Sequence, residues 1–145
     1  MTVVFSPAPK PISAPRPPKG LRKENKTRAK NEFERCYLSR ARQKFVNLRA
    51  CSACHVWGYS ENAHVLGDGA AGMKGPYTSI APLCSVRPDG NTIYEGCHRF
   101  SHRDPSAFRA RFPDFNPRKA ARETQRAWKR FLAGESVGLP STEHE

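Results

Sequence analysis

Apolar residues recur at three- and four-residue spacing in two long stretches of the chain, and between them the pattern shortens to strand-like runs. In the first stretch Phe33, Tyr37, Ala41, Phe45 and Leu48 form one apolar stripe with Arg and Lys filling the remainder, which predicts amphipathic helix over residues 24–48. Ser39 is a point at which this segment can divide in two. Residues 61–66 and 77–83 read as two strands, joined by a run at 67–72 too rich in glycine to be a strand itself. Further on, Pro105 can open a short helix containing Phe108 and Phe112, and Asn116-Pro117 supplies a cap followed by a favoured first helical residue. Ala120, Ala121, Thr124, Ala127, Trp128, Phe131 and Leu132 then mark the buried face of a helix that stops at Gly134. That helix reads as a structural brace, with Arg118, Arg122, Arg126 and Arg130 exposed.

With 145 residues, 37% of them hydrophobic, and a mean hydropathy of −0.72, the chain has room for one small domain with a thin core, the case in which a structural metal contributes most. Six of the thirteen prolines fall in residues 1–20, so residues 1–22 are expected to form a disordered, basic, Pro-rich tail. The domain then covers 23–134, with its core at 51–102, and 135–145 reads as a frayed tail. No stretch approaches membrane-spanning length, and residues 2–5 are too short, and too soon followed by Pro7 and Pro9, for a signal peptide. Five cysteines without such a signal favour reduced thiols, metal binding and a cytoplasmic location.

The net charge is +12, unevenly spread. Residues 1–50 carry 13 Lys/Arg against 3 acids, residues 51–102 carry 3 against 4, and residues 103–145 carry 9 against 6. Basic flanks around a nearly neutral centre suit a polyanion. Lys74, Arg99, Arg40 and Arg42 are the candidate phosphate contacts. The glycine-rich run lacks the Gly-Lys-Ser/Thr ending of a phosphate-binding loop, which argues against nucleotide hydrolysis.

Four of the five cysteines, together with His64, His98 and His102, lie within residues 51–102. Cys51 and Cys54 have the Cys-x-x-Cys spacing that puts two thiolates at the tip of a turn, and Cys84 with Cys97 can complete the tetrahedral sulfur site that zinc prefers. The residues between that second pair contain Arg87-Pro-Asp-Gly-Asn91, a turn signal that can loop out and return. Cys97 and His98 are neighbours, so on a helix their side chains diverge by roughly 100° and should serve two different sites. His98 and His102 are four apart and share one helix face, where two imidazoles can reach one cation. His64 would face them from a strand. Cys36 stands apart as a free thiol, His55 reads as a surface residue, and Trp57 and Tyr59 are expected to cover the zinc.

The order Cys51-x-x-Cys54, Ala63-His64-Val65, a glycine-rich loop with Lys74, Ile80-Ala-Pro-Leu-Cys84 and Cys97-His98-x-x-x-His102 resembles that of HNH endonucleases. It is most similar to the small phage-encoded type, which includes relatives of the Rap recombination nuclease of lambdoid phages. The resemblance spans residues 15–132, with its specific motifs at 51–102. It implies an α+β fold: a zinc-stabilised ββα-metal core flanked by amphipathic helices, with one catalytic Mg²⁺ or Mn²⁺ beside the structural Zn²⁺. His64 matches the general base, His98 the helix metal ligand and His102 the last histidine of the motif. Ala63 stands where many such sites carry an acidic or second histidine ligand, and Asp68 or a water can supply the missing oxygen.

The function this implies is hydrolysis of DNA phosphodiesters, in phage DNA processing or recombination. Neutral His64 takes a proton from the attacking water, a cation on His98 and His102 stabilises the phosphorane, and 5′-phosphate and 3′-hydroxyl ends result. The substrate is duplex or branched DNA; no heptad or apolar patch sets an oligomeric state, although a dimer is compatible with it. The alternative is a non-catalytic zinc protein that binds DNA, including a version in which His98 or His102 joins the zinc site.

Overall fold

Ser39 divides the first amphipathic segment. The structure, a computed structural model, describes residues 26–67 and 74–138, and α1 (Lys26–Tyr37) gives way there to α2 (Arg40–Asn47). Leu38 takes a left-handed φ of 66°, and the Ser39 side chain accepts from the Arg42 backbone N–H, capping α2. The break resets the helical phase. The expected stripe is therefore corrected: Ala41 and Leu48 are exposed, while Arg42, Phe45 and Val46 turn inward. The expected tail at 1–22, the glycine-rich run from Asp68 onward and the chain end at 139–145 lie outside the described residues.

The sheet that carries the site is a two-stranded antiparallel pair, β1 (Ser60–His64) and β2 (Ile80–Cys84), with Ser60 opposite Cys84 and His64 opposite Ile80. The second strand starts later than its sequence pattern suggests. Tyr77–Ser79 is a 3-10 turn, because the Ser79 backbone N–H and hydroxyl both donate to Pro76 O. Every residue of β2 is buried, as a strand packed on both faces requires.

Between Cys84 and Cys97 the chain makes a second antiparallel pair, β3 (Val86–Asp89) and β4 (Thr92–Glu95). Its two-residue turn has Gly90 at φ 59°, where a tight hairpin calls for glycine. Three helices follow: α3 (Cys97–Arg103), α4 (Pro105–Arg111) and α5 (Pro117–Leu132). Asp104 caps α4 by accepting from Ala107 N, and Asn116 caps α5 by accepting from Lys119 N.

Two clusters of buried side chains meet at β2. On one side Phe45 and Val46 of α2 pack with Ile80 and with Ala127 and Trp128 of α5, each large apolar side chain stabilising the fold by roughly 1.5–3 kcal/mol. On the other, Ala63, Leu83 and Phe108 surround Cys51, Cys84 and Cys97. The expected buried face of α5 holds for Ala120, Ala121, Thr124, Ala127 and Trp128. It loosens at its end: Phe131 is 41% exposed although its ring packs on Phe45 and Trp128, and Leu132 is 65% exposed. Among the described residues no helix is long and apolar enough to cross a membrane.

Candidate functional site

Cys51 and Cys54 sit on a tight turn after α2. His55 N donates to Cys51 O, and Ser52 N donates to Pro82 O, which ties the turn to β2. Cys84 ends β2, and Cys97 opens α3 with its backbone N–H directed at Cys84 Sγ, 3.3 Å away. The β3–β4 hairpin is what brings this second pair together across twelve intervening residues. Gly96 closes its base. A Cβ at Gly96 would collide with the backbone of Cys84 and Ser85, so glycine alone fits.

The four sulfurs lie within 4.8 Å of one another, with Cys54 and Cys84 3.6 Å apart. A tetrahedral zinc with Zn–S bonds of about 2.3 Å has sulfur–sulfur edges of about 3.8 Å. Hydrogen bonds from Cys84 and Cys97 hold the Cys51 thiol well below its usual range. The same sharing pushes Cys84 up to about 12 and Cys97 higher still. Four buried thiolates need a divalent cation. The cluster can therefore hold a metal ion such as zinc. Cys36 is buried outside it, next to Arg35 and Glu32, as expected. Trp57 and Tyr59 are about half exposed rather than closing over the sulfurs.

Three of the histidines line one cavity next to the sulfur cluster. A cavity of about 330 Å³ is lined by His64, His98 and His102, with Ala63 and Ser101 between them. The rings of His98 and His102 are 5.1 Å apart, one helical turn on α3. Ala63, at the position the resemblance leaves without a ligand, is wholly buried against the sulfur cluster.

The tautomer of His64 follows from its neighbours. Ser79 Oγ spends its single proton on Pro76 O at 2.7 Å, so it accepts from His64 Nδ1 at 3.1 Å. That assigns the lone pair to Nε2, which is buried and has no hydrogen-bond partner. Burial, followed by the positive charge of Lys74, lowers the His64 pKa below the ordinary imidazole value. Gly75 is needed beside it, since a Cβ there would press on Ser79 Oγ at 2.7 Å.

One residue of this site was not anticipated. Glu61 Oε1 accepts from His98 Nδ1 at 2.7 Å, which turns His98 Nε2 away from the carboxylate. No local pattern signals it, because the partner His98 lies 37 residues further along the chain.

The expected phosphate contacts divide. Lys74 is exposed, donating from Nζ to Tyr37 OH at 2.9 Å, and the Tyr37 ring lies 5.7 Å from that of His64. Arg40 is exposed with its guanidinium 4.4 Å above the Phe33 ring, and Arg99 is exposed 3.6 Å from Glu95. Arg42 is corrected. It is wholly buried, donates to Tyr77 O at 3.0 Å and lies over the Tyr77 ring, so it cannot meet phosphate. The Ser39 cap sets this, because it starts α2 in the phase that points Arg42 inward.

Compared with family models, with curated proteins and with solved structures, the chain matches none.

Proposed function

We propose that this protein is a metal-dependent endonuclease of the HNH type, hydrolysing DNA phosphodiester bonds. The observation that carries the reading is His64: it lines the cavity that His98 and His102 share, its Nδ1 lies 3.1 Å from Ser79 Oγ, and its Nε2 is buried without a hydrogen-bond partner. A general base needs a lone pair free in its resting state and a pKa at or below working pH. Support comes also from the antiparallel pair β1 and β2 followed, after the β3–β4 hairpin, by a helix that opens with Cys97-His98, and from the sulfur cluster beside it.

In this reading His64 Nε2 takes the proton of a water as its oxygen bonds to phosphorus. Ser79 keeps the imidazole oriented through Nδ1. The P–O3′ bond breaks and the departing oxygen takes a proton from solvent, leaving a 5′-phosphate and a 3′-hydroxyl. His98, turned by Glu61, and His102 are the residues that would hold a Mg²⁺ or Mn²⁺ ion, whose contribution is to neutralise charge on the phosphoryl oxygens. The four cysteines would hold Zn²⁺. Duplex or branched DNA is the substrate class, and phage DNA processing or recombination the setting.

A second reading is favoured by one observation. Ala63 is apolar and buried where a ligand is common, which suits a zinc protein that binds DNA without cutting it. Nicking of supercoiled plasmid separates the two. The nuclease reading expects Mg²⁺- or Mn²⁺-dependent nicking that His64→Ala abolishes while zinc content and DNA affinity persist. Wild-type protein that binds the plasmid and leaves it supercoiled at every divalent concentration establishes the second.

A further inference from the structure

The histidine cavity does not end at α3. Val65, Gly67 and Pro117 line it and also line a second cavity of about 670 Å³, whose far wall is Arg118 and Arg122 of α5. Arg109 of α4 stands on the wall of the first cavity. The two spaces therefore make one groove, with imidazoles at one end and guanidiniums along the rest.

The charges on that groove differ from most others on the surface. Arg35 is paired with Glu32, Arg99 and Arg103 with Glu95, and Arg130 with Glu135. Arg109, Arg118 and Arg122 are exposed, and among the described residues none of the three has an ion pair, hydrogen bond or ring contact. Arg118 and Arg122 are four residues apart, which on a helix is about 6 Å along one face. Among the described residues no acidic side chain lines either cavity. Leaving cations unneutralised beside one another is unfavourable unless an anion joins them.

We propose that this groove seats one strand of a DNA substrate, with Arg118 and Arg122 holding consecutive backbone phosphates and Arg109 a phosphate beside the histidines. A carboxylate ligand would need one guanidinium; a groove with three along its length fits a polyanion. The α5 helix is then a binding element as well as a brace. The inference rests on the nuclease reading only for what happens at the histidine end of the groove.

The test uses full-length, zinc-loaded protein and a fluorescein-labelled 30-base-pair duplex without added Mg²⁺ or Mn²⁺, with affinity followed across a salt series. Arg118→Gln with Arg122→Gln keeps the helix propensity of α5. Arg126→Gln with Arg130→Gln removes the same charge from the same helix but from residues lining a different cavity. The groove pair should lower the slope of log affinity against log salt by about 1 per arginine, and the control pair should leave it near the wild-type value. Equal slopes for the two double variants overturn the proposal, as does an effect seen on RNA of the same sequence and not on DNA. Loss of the slope in a protein that nicks no plasmid upholds the groove while the nuclease reading falls. Undiminished nicking by a groove variant with wild-type slope does the reverse.

Discussion

Glu61 on β1 and His98 on α3 are joined by a 2.7 Å hydrogen bond from the imidazole Nδ1 to the carboxylate. The carboxylate only accepts, so the proton is on Nδ1 and, in the proposed nuclease, Nε2 would ligate the cation; carboxylates that orient metal-binding histidines typically account for 10–100-fold in metal affinity or activity. Glu61→Ala should accordingly raise the Mn²⁺ concentration for half-maximal plasmid nicking by about 10–100-fold. Glu61→Gln keeps an acceptor without the charge and should fall between Ala and wild type. Identical Mn²⁺ titrations for all three proteins would leave Glu61 as a surface acid.

The sulfur cluster makes a separate prediction about folding. Structural zinc in small sites contributes about 10–16 kcal/mol, more than a small domain's whole stability. Cys51→Ser should therefore copurify without zinc and lose its cooperative thermal transition by circular dichroism, whereas Cys36→Ser, outside the cluster, should melt within a few degrees of wild type. Metal binding must displace thiol protons, so zinc retention should weaken as pH falls. An unchanged melting curve for Cys51→Ser rules the cluster out as a metal centre.

Much of this arrangement was legible in the sequence because its causes are local. Cys-x-x-Cys spacing, the i, i+4 pair His98 and His102, the Asn116-Pro117 cap and the turn at Gly90-Asn91 each depend on a few neighbouring residues. What escaped depends on phase or on long-range partners. Arg42 reads as a surface cation until the Ser39 cap fixes which way α2 faces, and Ala41 and Leu48 were misplaced for the same reason. Glu61 meets His98 across 37 residues, and Leu132 follows the apolar period of α5 yet is 65% exposed.

His64 should set the pH dependence. Its pKa is lowered by burial first and by Lys74 second, and a bound divalent cation pushes the same way. Neutral His64 thus persists below the ordinary imidazole value of about 6.5, and if it is the base as proposed, the acidic limb of the nicking rate should lie under that value. Lys74→Gln should move the limb toward higher pH. For stability the sign is the same: below about pH 6.5 the unfolded chain takes up the proton before the folded one does, so the fold loses stability as pH falls through the lowered value. A limb above pH 6.5 in wild-type protein, or one indifferent to Lys74→Gln, would show that a different group titrates.

The two glycines of the β3–β4 hairpin should respond to alanine very differently. Gly90 has open space around its Cα and needs alanine only to tolerate φ 59°, a strain of roughly 1–2 kcal/mol. Gly96 has no space: its Cβ would run into Cys84 O and the Ser85 carbonyl, one residue from two of the four sulfur ligands. Gly90→Ala should lower the melting temperature by a few degrees and keep its zinc. Gly96→Ala must open the hairpin base, separating Cys84 from Cys97, and should lose zinc together with the folded state. Equal zinc content and equal melting temperatures in the two variants would mean that the hairpin base does not hold the second pair of cysteines together.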